Sequence, residues 1–232
     1  MKWSEFFTSS IGKKFIMGLT GISLILFLVV HVGLNACIFA ALFNADDHGA
    51  MFNKAAHFMG SNVAPRILEI GLFLGILLHI IQGLVLEFQN LGKRKIKYDK
   101  SFGNRGSKWY SRSMGLLGTI ILLFLVLHWA NFWVPSRFTG VDEVTYDGKS
   151  MHDLFGLMKT TFEEPWVVIV YVLACVSLAY HLLHGFQSAF RTLGLRNKKY
   201  LGLVNGLGIG FSILVPLLFA LMPVSMYFNW VS

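Results

Sequence analysis

Charged residues and cysteines are both scarce in this sequence. Asp, Glu, Lys and Arg make up 14% of the 232 residues, against 55% hydrophobic residues, and the mean hydropathy is +0.60. That composition excludes an ordinary soluble domain and favours an integral membrane protein. The two cysteines, Cys37 and Cys175, lie in apolar segments without CxxC spacing. Their placement argues against a disulfide framework and favours a packing role for both.

Five apolar segments are long enough to cross a bilayer, which requires about 20 residues of helix. They cover roughly 15–41, 65–90, 110–135, 165–190 and 203–228. Each must be helical, because the bilayer core offers no water to backbone polar groups. The first exceeds the apolar core of a signal peptide and no small-residue cleavage site follows it, so we expect it to be retained. The sequence therefore predicts an all-α integral membrane protein with five transmembrane helices, in a single membrane domain over residues 1–232.

Basic residues are concentrated in three segments that five spans would place on one side of the membrane. Because cytoplasmic segments are enriched in Lys and Arg, we predict a cytoplasmic N-terminus. The net charge of +8 is then explained by basic residues that lie where the membrane topology places them. It favours contact with a membrane surface or a docked cytoplasmic partner over nucleic acid binding. The three segments hold these basic residues: Lys2, Lys13, Lys14, Lys93, Arg94, Lys95, Lys97, Lys100, Arg105, Lys108, Arg112, Arg191, Arg196, Lys198 and Lys199.

The chain contains an internal repeat. MGLTGISLILFLVVH at 17–31 aligns without a gap to MGLLGTIILLFLVLH at 114–128, with identical glycines and a shared terminal histidine. HIIQGLVLEFQNLG at 79–92 aligns in the same way to HLLHGFQSAFRTLG at 181–194. The first helix thus resembles the third and the second resembles the fourth, as in other parallel-repeat membrane folds. We expect a four-helix bundle built from a duplicated two-helix unit, plus a fifth helix.

Each of the four repeated helices carries an interior histidine: His31, His79, His128 and His181. Ionisable residues inside a span are costly and point to function. A single one often only bonds a neighbouring helix, but four in a repeated register favour a shared role. At 1.5 Å per residue, His31 and His128 lie toward the outer face, and His79 and His181 toward the cytoplasmic face. Two His/His pairs at two levels are typical of two stacked bis-histidine haems in a helical bundle.

Glycines near the histidines favour a flat cofactor over a bare metal ion. Gly75 and Gly83 lie one turn either side of His79, and Gly185 follows His181 by one turn. They leave the helix surface open for a porphyrin, although close helix packing explains any single one of them better. Zinc is disfavoured because no Cys- or carboxylate-rich cluster accompanies the histidines.

His181 and His184 share one face of the fourth helix. The internal alignment pairs His181 with His79 and His184 with Gln82, so we expect His181 to be the ligand and keep His184 as the alternative. His184 and Gln82 would then lie one turn nearer the cytoplasm, beside the cofactor edge. The other histidines fall in or near the outer connections and are expected to face solvent: His48, His57 and His152.

Several motifs resemble those of one membrane-protein family. GKKFIMGLTG and GLN within 12–35, SRSMGLLG and HWANFW within 111–133, and HLLHGFQSAF at 181–190 accompany the five spans and four helix histidines. Over nearly its whole length the chain resembles the dihaem cytochrome b membrane anchor of succinate:quinone oxidoreductases and fumarate reductases, in the single-chain, menaquinone-using form. The resemblance implies two haem b groups, the distal one held by His31 and His128 and the proximal one by His79 and His181.

The resemblance also implies partners and a place in the respiratory chain and tricarboxylic acid cycle. A flavoprotein with FAD and an iron–sulfur protein with its clusters would dock on the cytoplasmic face of the bacterial inner membrane. Electrons from succinate would pass through flavin and clusters to the proximal haem, the distal haem and menaquinone, or in reverse during fumarate reduction. Dicarboxylate chemistry would belong to the flavoprotein, and electron transport to the haems of this chain.

The sequence indicates residues that would contact quinone or the haem propionates less clearly than it indicates the histidines. Glu69, near the outer end of the second helix, could exchange protons with quinone beside the distal haem, and pairing with Arg66 explains it equally well. Gln82, His184 and Glu87 are further quinone or proton candidates toward the inner end. Inner-face cations are candidates for the propionates, because carboxylates pair well with Arg, although positive-inside topology alone accounts for them: Lys13, Arg112 and Arg191.

Two alternatives remain open. Another quinone-linked cytochrome b, of the hydrogenase or formate dehydrogenase type or a quinol-oxidising fragment, would distribute its histidines differently, often with two on one helix. A proton-coupled transporter or channel would use the histidines as a proton relay without haem.

Overall fold

The computed structural model describes residues 9–93, 108–195 and 197–231. Its α-helices are α1 (Ser10–Asn35), α2 (Ala50–Ser61), α3 (Val63–Lys93), α4 (Trp109–Arg112), α5 (Met114–His128), α6 (Leu154–Phe162), α7 (Pro165–Thr192) and α8 (Leu201–Tyr227). Some of the predicted cytoplasmic cations lie outside the described residues: Lys2, Arg94, Lys95, Lys97, Lys100, Arg105 and Arg196.

Within the described residues, five helical segments are long and apolar enough to cross a membrane. They are Ser10–Leu42, Val63–Gly92, Met114–Thr139, Pro165–Thr192 and Lys198–Tyr227. The five apolar segments of the sequence predict their number and, to within a few residues, most of their ends. The fold is therefore that of a mainly helical, multi-pass membrane protein.

The outward faces of these spans are apolar. Leu68 on α3 and Leu123 on α5 are 71% and 67% exposed, and similar side chains recur along every span. Contiguous apolar surface of this extent is rare on soluble monomers. In a bilayer the same side chains contact lipid chains, where their exposure carries no hydrophobic penalty.

Three spans change helix type near an end, and the last of them begins as a 3₁₀ helix over Lys198–Tyr200. The first span continues from α1 as a 3₁₀ helix over Ala36–Leu42. The span that contains α5 continues as π-helical turns over Trp129–Trp133 and Pro135–Thr139. π-Helical turns are rare and often occur at functional sites. The first of these two, Trp129–Trp133, begins directly after His128.

The connections contain structure that the sequence analysis did not predict. Strand β1 (Glu143–Tyr146) pairs antiparallel with β2 (Lys149–His152) through an Asp147–Gly148 turn. Both turn residues have positive φ, at 52° and 74°, as a two-residue Asp-Gly hairpin requires. The Lys54 ammonium, 2.7 Å from Asp147 Oδ2, lowers the pKa of that carboxyl. His48, His57 and His152 are exposed here, as predicted.

Asn53 on α2 joins these connecting elements. Its side chain is fully buried; Oδ1 accepts from the Phe155 N–H at 2.9 Å, and Nδ2 donates to Asp153 Oδ1 at 2.9 Å. Asp153 in turn accepts from the Gly156 N–H and caps α6. Phe155 packs so closely on Gly49 that a β-carbon there would collide with its ring. The Asn53 side chain therefore links α2 to the start of α6 through two hydrogen bonds.

The chain divides into two compact units. One comprises Met1–Phe27, Gly71–Thr119 and Ser177–Ile213; the other comprises Leu28–Ile70, Ile120–Val176 and Leu214–Ser232. We call them the His79 unit and the His31 unit. His79 and His181 belong to the first, and His31 and His128 to the second. Each histidine pair predicted from the repeat falls within one unit.

Candidate functional site: two histidine pairs

In the His79 unit, α3 and α7 bring His79 and His181 together. Their ring centroids are 6.2 Å apart and their planes are inclined by 62°. Both helices are continuous through the histidine positions, so each ring is held by regular backbone. The structure therefore brings together the two histidines that the second repeat element aligns.

In the His31 unit, α1 and α5 bring His31 and His128 together. The ring centroids are 5.9 Å apart, with planes inclined by 86°. Aromatic rings surround the pair: Phe219 lies 5.4 Å from His31, and Phe124 stacks on His128 at 5.6 Å. Phe219 comes from α8, the helix without a repeat counterpart. The first repeat element thus yields a second facing pair in an apolar, aromatic setting.

Both separations fit an iron held between two imidazoles. Histidine nitrogens lie about 2 Å from a bound transition metal, which places the two facing ring centroids roughly 6 Å apart. Haem iron needs only two such axial ligands because the porphyrin supplies the others. Zinc needs at least three protein ligands, and residues 9–93, 108–195 and 197–231 contain no such group of His, Cys, Asp and Glu. The donor sets therefore fit bis-histidine haem.

Most of the four rings have a polar neighbour at Nδ1. Thr20 Oγ1 lies 3.1 Å from His79 Nδ1, Asn35 Nδ2 lies 3.3 Å from His31 Nδ1, and the Tyr171 hydroxyl lies 3.5 Å from His128 Nδ1. His181 Nδ1 is buried, and no described residue bonds it. Metal-bound histidines usually bond a neighbour through the nitrogen that does not bind the metal. At His79 and His128 the neighbouring hydroxyl can accept from an Nδ1–H, which leaves Nε2 free to bind a metal. The Asn35 amide nitrogen can only donate, so at His31 it favours the tautomer with the proton on Nε2.

The glycines keep the backbone close to the rings. A β-carbon on Gly21 would lie 3.8 Å from His79 Cε1, and one on Gly118 would lie 3.9 Å from His181 Cε1. Gly21 and Gly118 occupy equivalent repeat positions, as do the two histidines. Helix α1 therefore approaches the His79 ring about as closely as helix α5 approaches the His181 ring. Around Gly75 no other described residue lies within 4 Å of a β-carbon position, so this face is open.

The inner-end candidates all belong to the His79 unit. They are Gln82, His184, Glu87, Lys13, Arg112 and Arg191. Gln82 Oε1 is buried with no hydrogen-bond partner among the described residues. Glu87 covers Gly115, where a β-carbon would lie 2.7 Å from Glu87 Cδ. Lys13 is half-buried, whereas Arg112 and Arg191 are exposed. Their roles toward quinone or propionates stay predictions.

Glu69, in the His31 unit, has more partners than the sequence suggested. Arg66 Nη1 donates to Oε2 at 3.3 Å, as expected for residues one turn apart. Trp133 Nε1 donates to Oε1 at 2.7 Å, and Arg137 Nη2 donates to Oε2 at 3.1 Å. The carboxylate therefore joins α3 to the π-helical turns, in addition to any role toward quinone.

The polar neighbours of the histidine rings were not predicted from the sequence. Thr20, Asn35 and Tyr171 are polar residues within apolar spans, and Asn131 donates to the Tyr171 hydroxyl at 3.1 Å. Asn35 follows His31 by four residues and Asn131 follows His128 by three, which is the spacing of neighbours on one helix face. That spacing was a usable signal for both. Thr20 and Tyr171 reach their histidines from other helices, and no spacing rule reveals such contacts.

The chain matches no protein-family model, no curated protein and no solved structure.

Proposed function

We propose that this chain is a dihaem cytochrome b membrane anchor of a succinate:quinone oxidoreductase or fumarate reductase. The observation that carries the proposal is the pair of facing histidine couples, at 5.9 and 6.2 Å, each drawn from equivalent positions of an internal repeat. One such couple is compatible with simple helix packing. Two couples with the same spacing favour two copies of one kind of ligand site.

The chain's own residues bind and orient the cofactors. His31 and His128 would hold one haem, and His79 and His181 would hold the other. Gly21 and Gly118 bring helix backbone close to the His79 and His181 rings, and the apolar spans exclude water. Haem, when bound, supplies one-electron transfer between iron–sulfur clusters and menaquinone.

The family assignment extends to the partners. A flavoprotein with FAD and an iron–sulfur subunit would bind the cytoplasmic face, where the positive-inside distribution concentrates Lys and Arg. Menaquinone would bind within the membrane, with Glu69, Gln82, His184 and Glu87 as candidate contacts. Lys13, Arg112 and Arg191 remain candidates for the haem propionates. The bacterial inner membrane is the proposed location.

A reduced-minus-oxidised visible spectrum of the purified chain tests the haem proposal. We expect a b-type band and two haems per chain. A spectrum without that band contradicts the proposal and favours a transporter with a histidine proton relay.

The family assignment has a separate test in native membranes. We expect a covalent-flavin subunit to copurify with the chain and succinate to reduce the haems. Reduction by formate or hydrogen instead would place the chain in another quinone-linked cytochrome b complex.

A further inference from the structure

Thr20 is a buried polar residue on α1 that contacts one of the four histidines. Its Oγ1 lies 3.1 Å from His79 Nδ1. The same oxygen lies 2.9 Å from the carbonyl of Ile16 and 3.2 Å from that of Met17, on its own helix. A threonine hydroxyl has one hydrogen, and a carbonyl oxygen can only accept. All these contacts are hydrogen bonds only when the hydroxyl donates to the α1 backbone and accepts from His79.

This direction of bonding fixes the protonation of the ring. Because Thr20 Oγ1 accepts, His79 carries its proton on Nδ1 and keeps the Nε2 lone pair free. That is the form in which a neutral histidine binds a metal through Nε2. Thr20 thus prepares His79 for ligation before any cofactor is present.

The partner histidine lacks this support. The alignment of 17–31 with 114–128 places Leu117 at the position of Thr20, and leucine has no polar atom to offer. His181 Nδ1 is correspondingly buried without a hydrogen-bond partner among the described residues. The backbone does not cause the difference, because a β-carbon on Gly21 would lie 3.8 Å from His79 Cε1 and one on Gly118 would lie 3.9 Å from His181 Cε1.

We propose that Thr20 is a positioning residue for His79 that makes the two axial ligands of this haem unequal and lowers its reduction potential. The inference rests on the proposed haem function. A hydrogen bond from Nδ1–H makes the imidazole a stronger electron donor to the metal. A stronger donor favours oxidised iron, and hydrogen bonding around the ligands is a recognised control on haem potential.

Thr20→Val removes the hydroxyl at nearly constant volume, and Thr20→Ser keeps it. In redox titrations of the purified haem-containing complex, the haem lost in His79→Ala identifies the band to follow. We expect Thr20→Val to lower the ratio of oxidised to reduced haem in this site, at a fixed potential, roughly tenfold. That is the lower end of the effects of removing a hydrogen bond to a metal-binding histidine. For one electron that corresponds to a 59 mV rise. Thr20→Ser should retain the wild-type potential, and the haem of His31 and His128 should not shift.

A converse experiment at the equivalent repeat position remains possible even if the Thr20→Val variant does not fold. Leu117→Thr introduces a hydroxyl at the repeat position of Thr20 and should lower the potential of the same haem. Leu117→Val, of the same shape without the hydroxyl, is the matched control and should not lower it.

The outcomes separate this inference from the proposed function. A wild-type chain without a b-type band overturns both. A wild-type chain with two haems, in which Thr20→Val and Leu117→Thr leave the potential unchanged or shift both haems equally, overturns the role of Thr20 alone.

Discussion

His181 and His184 are both half-buried on α7, yet their surroundings differ. The His181 ring faces His79 at 6.2 Å, and its Cδ2 lies 4.0 Å from a β-carbon position on Gly185. His184 occupies the repeat position of Gln82, whose amide cannot replace an axial imidazole. At the scale of single residues, geometry and the repeat favour the same proposed ligand, His181.

This choice predicts different haem contents for two alanine variants. His181→Ala should lose the haem that His79 shares and retain the other, giving about half the wild-type haem-to-protein ratio. His184→Ala should retain both haems. The ratio and the reduced-minus-oxidised spectrum of each purified variant provide the measurement. Loss of one haem in His184→Ala, with both retained in His181→Ala, would reverse the assignment.

Glu69 connects two elements, α3 and the π-helical turns after His128. Its carboxylate, 22% exposed, accepts from Trp133 and from Arg137. Glu69→Gln loses the ion pair with Arg137, and a hydrogen bond to a charged group contributes about 1.5–3 kcal/mol when well formed. We expect Arg137→Gln to lower thermal stability in detergent, and Glu69→Gln to lower it at least as much, because Glu69→Gln also removes the ion pair with Arg66.

Quinone turnover distinguishes this connection from proton exchange. If Glu69 only joins the two elements, Glu69→Gln and Arg137→Gln should affect menaquinone turnover equally. If the carboxyl exchanges protons with quinone, Glu69→Gln should be much slower than Arg137→Gln at matched haem content. Equal turnover of the two variants would contradict the sequence-based prediction that Glu69 exchanges protons with quinone.

Asn53 determines how α2 and α6 stay together. Asn53→Leu keeps the volume but leaves the Phe155 N–H without its acceptor and Asp153 without one donor. An unsatisfied buried polar group costs about 1–3 kcal/mol. We expect faster proteolysis within residues 43–61 and 140–164, with the haem spectrum unchanged. Lys54→Gln, which removes only an exposed ion pair with Asp147, is the control and should differ little from wild type.

The sequence predicts some elements much better than others. Spans such as Val63–Gly92 are visible as apolar runs because lipid imposes both their length and their composition. The π-helical turns at Trp129–Trp133 have no such signature, because the choice between helix types depends on local packing. The β1–β2 hairpin was not predicted although Asp147–Gly148 is a strong turn signal, because it lies in a polar connection that no apolar run marks.

For the whole molecule, the internal repeat carries most of the predictive information. It identifies four histidines and their pairing from sequence alone, because matched registers on matched helices place matched residues together. It cannot identify the contacts in which the halves differ, such as Thr20 with His79 or Tyr171 with His128. Those depend on side chains of other helices and require coordinates.

The order of the two haem sites in the proposed electron path predicts unequal effects of losing each site. Succinate-derived electrons should enter at His79 and His181 and leave toward menaquinone from His31 and His128. His31→Ala should therefore retain succinate-dependent reduction of the remaining haem and lose menaquinone reduction, whereas His79→Ala should lose both. Stopped-flow absorbance of the membrane complex measures each step, and succinate reduction of an artificial acceptor verifies the partner subunits. Equal loss of haem reduction in the two variants, with that control intact, would show that electrons do not enter at His79 and His181.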